Sequence, residues 1–137
     1  MNWTLELVSI PVTDVERAKQ FYAEVLGFVV DHDTTVSEQT RIVQLTPPGS
    51  GCSICIGTGF VDMAPGTLRG LQLVVRDIRA ARAELSGRGV DVSEVMVFAA
   101  EGLRPAAADD ALNNVGFCFF SDPDGTGWAV QQIDNRG

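Results

Sequence analysis

Between Leu5 and Val12 the chain is apolar except at Glu6 and Ser9, and Pro11 falls near the end, where a strand terminus or sheet edge tolerates it. This pattern predicts a strand over residues 5–12. Thr13-Asp-Val-Glu16 then has capping-box spacing, and Val15, Ala18, Phe21, Tyr22, Val25 and Leu26 recur at helical intervals until Gly27. A helix is therefore predicted over residues 14–26. Beyond it the period returns to that of strands, with turn residues between β-rich runs at 28–33, 41–46 and 53–57. The same order follows from Gly70 onward. Ile78, Ala81 and Leu85 form a buried helical stripe, the arginines at 76, 79, 82 and 88 stay in water, and Gly87 or Gly89 ends the helix. Strands are then expected over 90–98, 116–121 and 127–133.

The second half repeats the first in its letters as well as its pattern. Leu7-Val-Ser-Ile-Pro-Val-Thr-Asp14 returns as Gly70-Leu-Gln-Leu-Val-Val-Arg-Asp77, an offset of 63 residues. Pro47-Pro-Gly-Ser-Gly51 returns as Pro123-Asp-Gly-Thr-Gly127, an offset of 76. The reading is an α+β fold of two tandem β-α-β-β-β modules, residues 1–59 and 70–137, with a linker over 60–69, in one domain with a shared core. The offset grows by 13 residues, which places an insertion in Glu101 to Asn114 of the second module, expected as a surface loop or as a lid over a pocket.

A formal charge of −8 with scattered Lys and Arg argues against nucleic acid and anionic membrane surfaces, while remaining compatible with a cationic ligand. No apolar run approaches the roughly 20 residues that a membrane helix needs, and the first residues lack the basic-then-apolar order of a secretory leader. A cytoplasmic protein is expected, and its three cysteines read as reduced thiols.

The duplicated unit, with Val12-Thr-Asp-Val-Glu-Arg-Ala-Lys-Gln-Phe-Tyr22 and Leu26-Gly-Phe28 opening it and Phe120-Ser-Asp-Pro-Asp-Gly-Thr-Gly-Trp128 near its end, resembles the vicinal oxygen chelate superfamily. That group includes glyoxalase I, the bleomycin-resistance proteins, fosfomycin-resistance enzymes and extradiol dioxygenases. The resemblance implies a U-shaped mixed sheet around a ligand cavity, and many such proteins are homodimers. In metal-using members the ligands, His and Glu, come from the first and last strands of each module. Carried over by position, those places hold Leu7, Ser53, Gly70 and Ala129. Leu, Gly and Ala have no side-chain donor, and one neutral hydroxyl does not hold a divalent ion that prefers imidazole or carboxylate. The expectation is a chain without a metal site or other cofactor. Glu6 is no substitute, because one step along a strand turns a side chain to the opposite face.

The remaining chemistry is sparse. His32, the single histidine, lies at a strand end between Asp31 and Asp33, and Glu101 stands in the insert; these are weak candidates for an acid or base. Cys52 and Cys55 have the spacing of half a zinc motif with no second pair, and Asp122-Pro-Asp-Gly125 reads as a turn. Strand alternation, with Val8, Ile10 and Val12 under the first helix, turns Leu7, Ser9, Ser53, Cys55, Gly70, Gln72, Ala129 and Gln131 toward a ligand, with Phe98, Phe60, Met63 and Met96 as an adaptable rim. Small, apolar and amide groups of this kind suit a flat organic molecule. The expected function is metal-free binding or sequestration of a hydrophobic aromatic metabolite or antibiotic. The alternative is a metal-independent lyase, isomerase or cyclase on the same scaffold.

Overall fold

The computed structural model describes residues 1–135 and divides the chain into two compact units. The first comprises Met1–Leu68 together with Asp122–Thr126, and the second Arg69–Ser121 with the residues from Gly127 onward.

The first unit holds β1 (Leu7–Pro11), α1 (Val15–Gln20), β2 (Val29–Thr35), β3 (Arg41–Thr46) and β4 (Ser53–Gly57). Its sheet runs β1-β4-β3-β2, with β1 parallel to β4 and the other pairs antiparallel. Ile10, Val43, Leu45, Ile54 and Ile56 are buried on the same face as Val15 and Ala18 of α1 and as Tyr22, which stacks on Phe28 at 5.8 Å. The predicted helix over 14–26 is two structures: α1 stops at Gln20, and Phe21–Val25 continue as one π-helical stretch. The cap is also one residue further on than the capping-box spacing suggested. Asp14, not Thr13, accepts from the Arg17 amide at 3.1 Å, because the Thr13 hydroxyl is drawn to Asp124 at 2.6 Å.

The second unit holds β5 (Leu71–Val75), α2 (Ile78–Gly87), β6 (Met96–Ala99), β7 (Gly102–Pro105), β8 (Gly116–Ser121) and β9 (Gly127–Gln132), with sheet order β5-β9-β8-β6-β7. Asp77 caps α2 through the Ala80 amide at 3.1 Å, as Asp14 caps α1, and Gly89 leaves the helix at φ +86°. Ile78, Val97, Cys118, Phe120, Trp128 and Val130 form the core on the α2 side.

Two expectations are corrected in this unit. The strand over 90–98 shrinks to Met96–Ala99; Val90 and Val92 are buried without joining a ladder, and Ser93 instead exchanges hydrogen bonds with Phe119. The insert over 101–114 is not a free loop. Its first part is β7, an added edge strand, so this module has one strand more than β-α-β-β-β. The rest is tied to the α2 side: Arg104 pairs with Asp110 at 2.8 Å, Asp110 accepts from the Ala107 amide at 2.7 Å, Arg79 donates to the Ala107 carbonyl at 2.7 Å, and Leu112 is buried.

Ion pairs set an acid limit, that of Arg104 with Asp110 and those of Asp33 with Arg41 and Lys19. Hydrogen bonds from Arg41 and then Lys19 hold the Asp33 carboxyl well below the usual carboxylate range, and Arg104 with the Ala107 amide lowers Asp110 to about 2. Folded values below the unfolded one of about 4 mean that this stabilisation is complete above about pH 4 and is lost as pH falls through the folded values. Asp110→Asn is expected to lower the melting temperature slightly at pH 7 and to flatten its decline between about pH 4 and pH 2, as read by circular dichroism. An unchanged acid slope would show that the pair contributes nothing, as exposed pairs often do.

Candidate functional site

In each unit the helix covers one face of its sheet; the opposite face is open in part in the second unit, whereas in the first every residue of β4 is buried, Ser53 and Cys55 among them. In the second unit the register writes the open face in rows. Val74 pairs with Gln131, Gln131 with Phe117, Phe117 with Met96 and Met96 with Pro105, so one row crosses all five strands. Gln72, Ala129 and Phe119 make the next row, and Phe98 and Leu103 pair at the outer edge. Phe117 and Phe119 lie nearly parallel, 6.1 Å apart at an interplanar angle of 4°. Phe98 is 59% exposed, with Val74 and Leu103 each 47% exposed. An apolar, aromatic surface left in water is a candidate binding face. The rows contain no acid, base or thiol.

The polar groups on this face have fixed directions. A backbone carbonyl only accepts, so the Gln131 amide nitrogen must face Asn114 O, which it does at 2.8 Å. Its oxygen therefore takes the Gln72 amide nitrogen, and the Gln72 oxygen is left as a free acceptor.

In the first unit Leu7 pairs with Ser53 and Ser9 with Cys55; Cys55 then pairs with Gln44, and Gln44 with His32. The sequence expectation thus groups Leu7, Ser9, Ser53 and Cys55 on one face, and Gln72, Phe98, Ala129 and Gln131 on another. Gly70 sits just before β5, outside the ladder, at φ +93°. Of the catalytic candidates, His32 shares the row of Ser9 and Cys55. Its flanking acids are engaged elsewhere, Asp31 by Thr46 and Asp33 by Lys19 and Arg41. Glu101 is exposed at the β6–β7 turn, 3.7 Å from Arg104. Burial pushes the Cys55 and Cys118 thiols up, away from the thiolate that nucleophilic or redox chemistry requires, and all three cysteines are free.

The four places that carry metal ligands elsewhere in the fold do not fit a divalent ion. Leu7, Gly70 and Ala129 offer no donor atom, and the Ser53 hydroxyl, 7% exposed, is held at 2.6 Å by Thr46. Among the described residues no three His, Cys, Asp or Glu side chains are grouped so as to hold a metal.

Phe117, Phe119, Thr46 and Asp31 are candidate site residues that sequence reasoning missed. The parity of β8 was the available signal: once Cys118 is placed in the core, Phe117 and Phe119 must face the other way.

The family model of the Glyoxalase/Bleomycin resistance protein/Dioxygenase superfamily matches residues 4–130. The chain belongs to this superfamily. Among solved structures, it is similar to TnmS3, an antibiotic binding protein from Streptomyces sp. CB03234, at 32% identity over 96% of this chain and 97% of that one, with a TM-score of 0.74. A glyoxalase/bleomycin resistance protein from the same Streptomyces strain is 33% identical over 94% of this chain and 100% of that one, with a TM-score of 0.71. A superfamily member from Sphaerobacter thermophilus DSM 20745 is 28% identical over 96% and 98% of the two chains, with a TM-score of 0.75. No curated protein matches the sequence. Membership and these likenesses support small-molecule binding of the glyoxalase/bleomycin-resistance type, and no helix among the described residues is long and apolar enough to cross a membrane.

Proposed function

We propose that this protein binds a flat, hydrophobic aromatic molecule of the antibiotic or aromatic-metabolite class, without a metal ion and without changing it chemically, in the cytoplasm. The observation that carries this is the open face of the second unit, where three phenylalanines and two glutamines, and no group that transfers a proton, occupy consecutive rows. Phenylalanine faces bind planar rings by area and by offset stacking, and a few amides fix orientation. Leu7, Ser9, Ser53 and Cys55 of the first unit, and Gly70, Gln72, Phe98, Ala129 and Gln131 of the second, are the proposed ligand-binding residues, now joined by Phe117 and Phe119. The likeness to an antibiotic binding protein supports the same ligand class.

A second reading, a metal-independent lyase, isomerase or cyclase, draws on one observation, the place of His32 in the row of Ser9, Cys55 and Gln44. The two readings separate in a fluorescence titration with planar aromatic antibiotics. Buried Trp128 serves as reporter, and chelator is added at saturation. Saturable quenching that chelator leaves unchanged, with His32→Gln binding as the parent does, is the expected result. Loss of binding on chelation contradicts the metal-free reading, and a His32-dependent product contradicts binding without turnover.

A further inference from the structure

Ser53, Thr46 and Asp31 form a hydrogen-bonded chain on the side of the first unit's sheet away from α1, with Ser53 itself 7% exposed, and chemistry fixes its direction. A carboxylate oxygen only accepts, so the contact between Thr46 Oγ1 and Asp31 Oδ2 uses the one hydroxyl proton that Thr46 has. Toward Ser53, at 2.6 Å, Thr46 then has only lone pairs to offer, and Ser53 must be the donor. Ser53 has spent its only proton in turn. What it presents to a ligand is a lone pair, backed through Thr46 by a carboxylate.

We propose that Asp31, acting through Thr46, sets Ser53 as an obligate hydrogen-bond acceptor, so that the ligand group meeting this face is a donor, a protonated amine or a hydroxyl, and not a carbonyl or carboxylate. This rests on the reading that the chain binds a small aromatic molecule. The charge of the first unit agrees with it. The first unit carries ten acidic side chains against three basic ones, Arg17, Lys19 and Arg41, and each of the three is in an ion pair. No cation other than His32, when protonated, stands in the rows around Ser53 to favour an anionic head. Thr46 and Asp31 act through Ser53 and are positioning residues; Ser53 is the contact.

The test uses four anthracenes that share the ring and differ in the head: 9-aminomethyl, 9-hydroxymethyl, 9-carbaldehyde and 9-carboxylate. Their own fluorescence reports binding to the full chain. The amine and the alcohol are expected to bind roughly tenfold more tightly than the aldehyde, since an acceptor facing an acceptor leaves both unpaired. The carboxylate should bind weakest. The amine's advantage over the alcohol should shrink with added salt, whereas the alcohol's advantage over the aldehyde should not. In Thr46→Val, which keeps the shape of the strand residue, the Ser53 proton is released. The aldehyde should then gain while the donors keep the Ser53 lone pair, so that their ratio falls toward one. In Ser53→Ala the donors should lose without any gain by the aldehyde, a split that loss of packing alone would not produce. Binding of all four heads with equal affinity, or a ratio unchanged in Thr46→Val, overturns the inference and leaves the binding function standing. Binding of none of the four overturns the aromatic-ligand reading and this inference with it.

Discussion

Asp122→Ala is expected to destabilise the protein by about 3 kcal/mol, the largest effect of any single polar substitution, and to lower Tm by roughly 10 °C. The carboxylate is 5% exposed and serves three donors: the amides of Asp124 and Thr126, each at 2.9 Å to Oδ1, and the Tyr22 hydroxyl at 2.8 Å to Oδ2. Alanine leaves all three without their partner, and the Tyr22 side chain is 0% exposed, where water does not replace what is lost. Tyr22→Phe removes one of the three and should cost about 1 kcal/mol. Asp122→Asn keeps an oxygen for the two amides and turns its nitrogen to the Tyr22 oxygen, so it should fall between the two. Urea denaturation followed by circular dichroism gives the three values. A cost below about 1 kcal/mol for the alanine variant would show that the turn holds itself and that Asp122 is incidental to it.

Phe119→Ala and Phe120→Ala, neighbours in sequence, should fail in opposite ways. Phe119 belongs to the open face, paired with Ala129 and parallel to Phe117. Truncating it should weaken an aromatic ligand by about 30-fold, the loss typical of a central aromatic contact, while the fold loses about 1 kcal/mol. Phe120 is 4% exposed and parallel to Trp128 at 6.1 Å on the helix side. Its truncation opens a core cavity and should cost about 3–4 kcal/mol, with whatever folded protein remains still binding normally. Paired measurements of denaturation and of affinity for one aromatic probe decide between them. Equal effects on binding would mean that the face assignment is wrong.

That assignment marks the limit of what the sequence alone made legible. The duplication placed Leu7, Ser9, Ser53 and Cys55 on one face because alternation from a known core position is reliable along one strand, and the strand over 53–57 matches β4 residue for residue. Phe117 and Phe119 escaped because Phe117-Cys-Phe-Phe120 has no polar residue to mark either face, so only register shows which phenylalanine meets water. The insert escaped for a related reason. Gly102-Leu-Arg-Pro105 is too short to carry a strand pattern of its own, and β7 exists because β6 offers it an edge. Asp122 was read correctly as part of a turn; its bond to Tyr22 spans 100 residues and leaves no local trace. The residue types at the four positions that the superfamily resemblance singled out, Leu7, Ser53, Gly70 and Ala129, are legible directly, since they need no structure to read.

The central claim is binding without chemistry, and native mass spectrometry tests it most directly. The protein is incubated for a day with 9-(aminomethyl)anthracene, the complex is weighed under native conditions, and the ligand is then released and weighed alone. The expected complex exceeds the mass of the protein by one unaltered ligand per chain and by no transition-metal ion, with the released compound identical to that supplied. A bound metal, a released product of different mass, or no complex at all would contradict it.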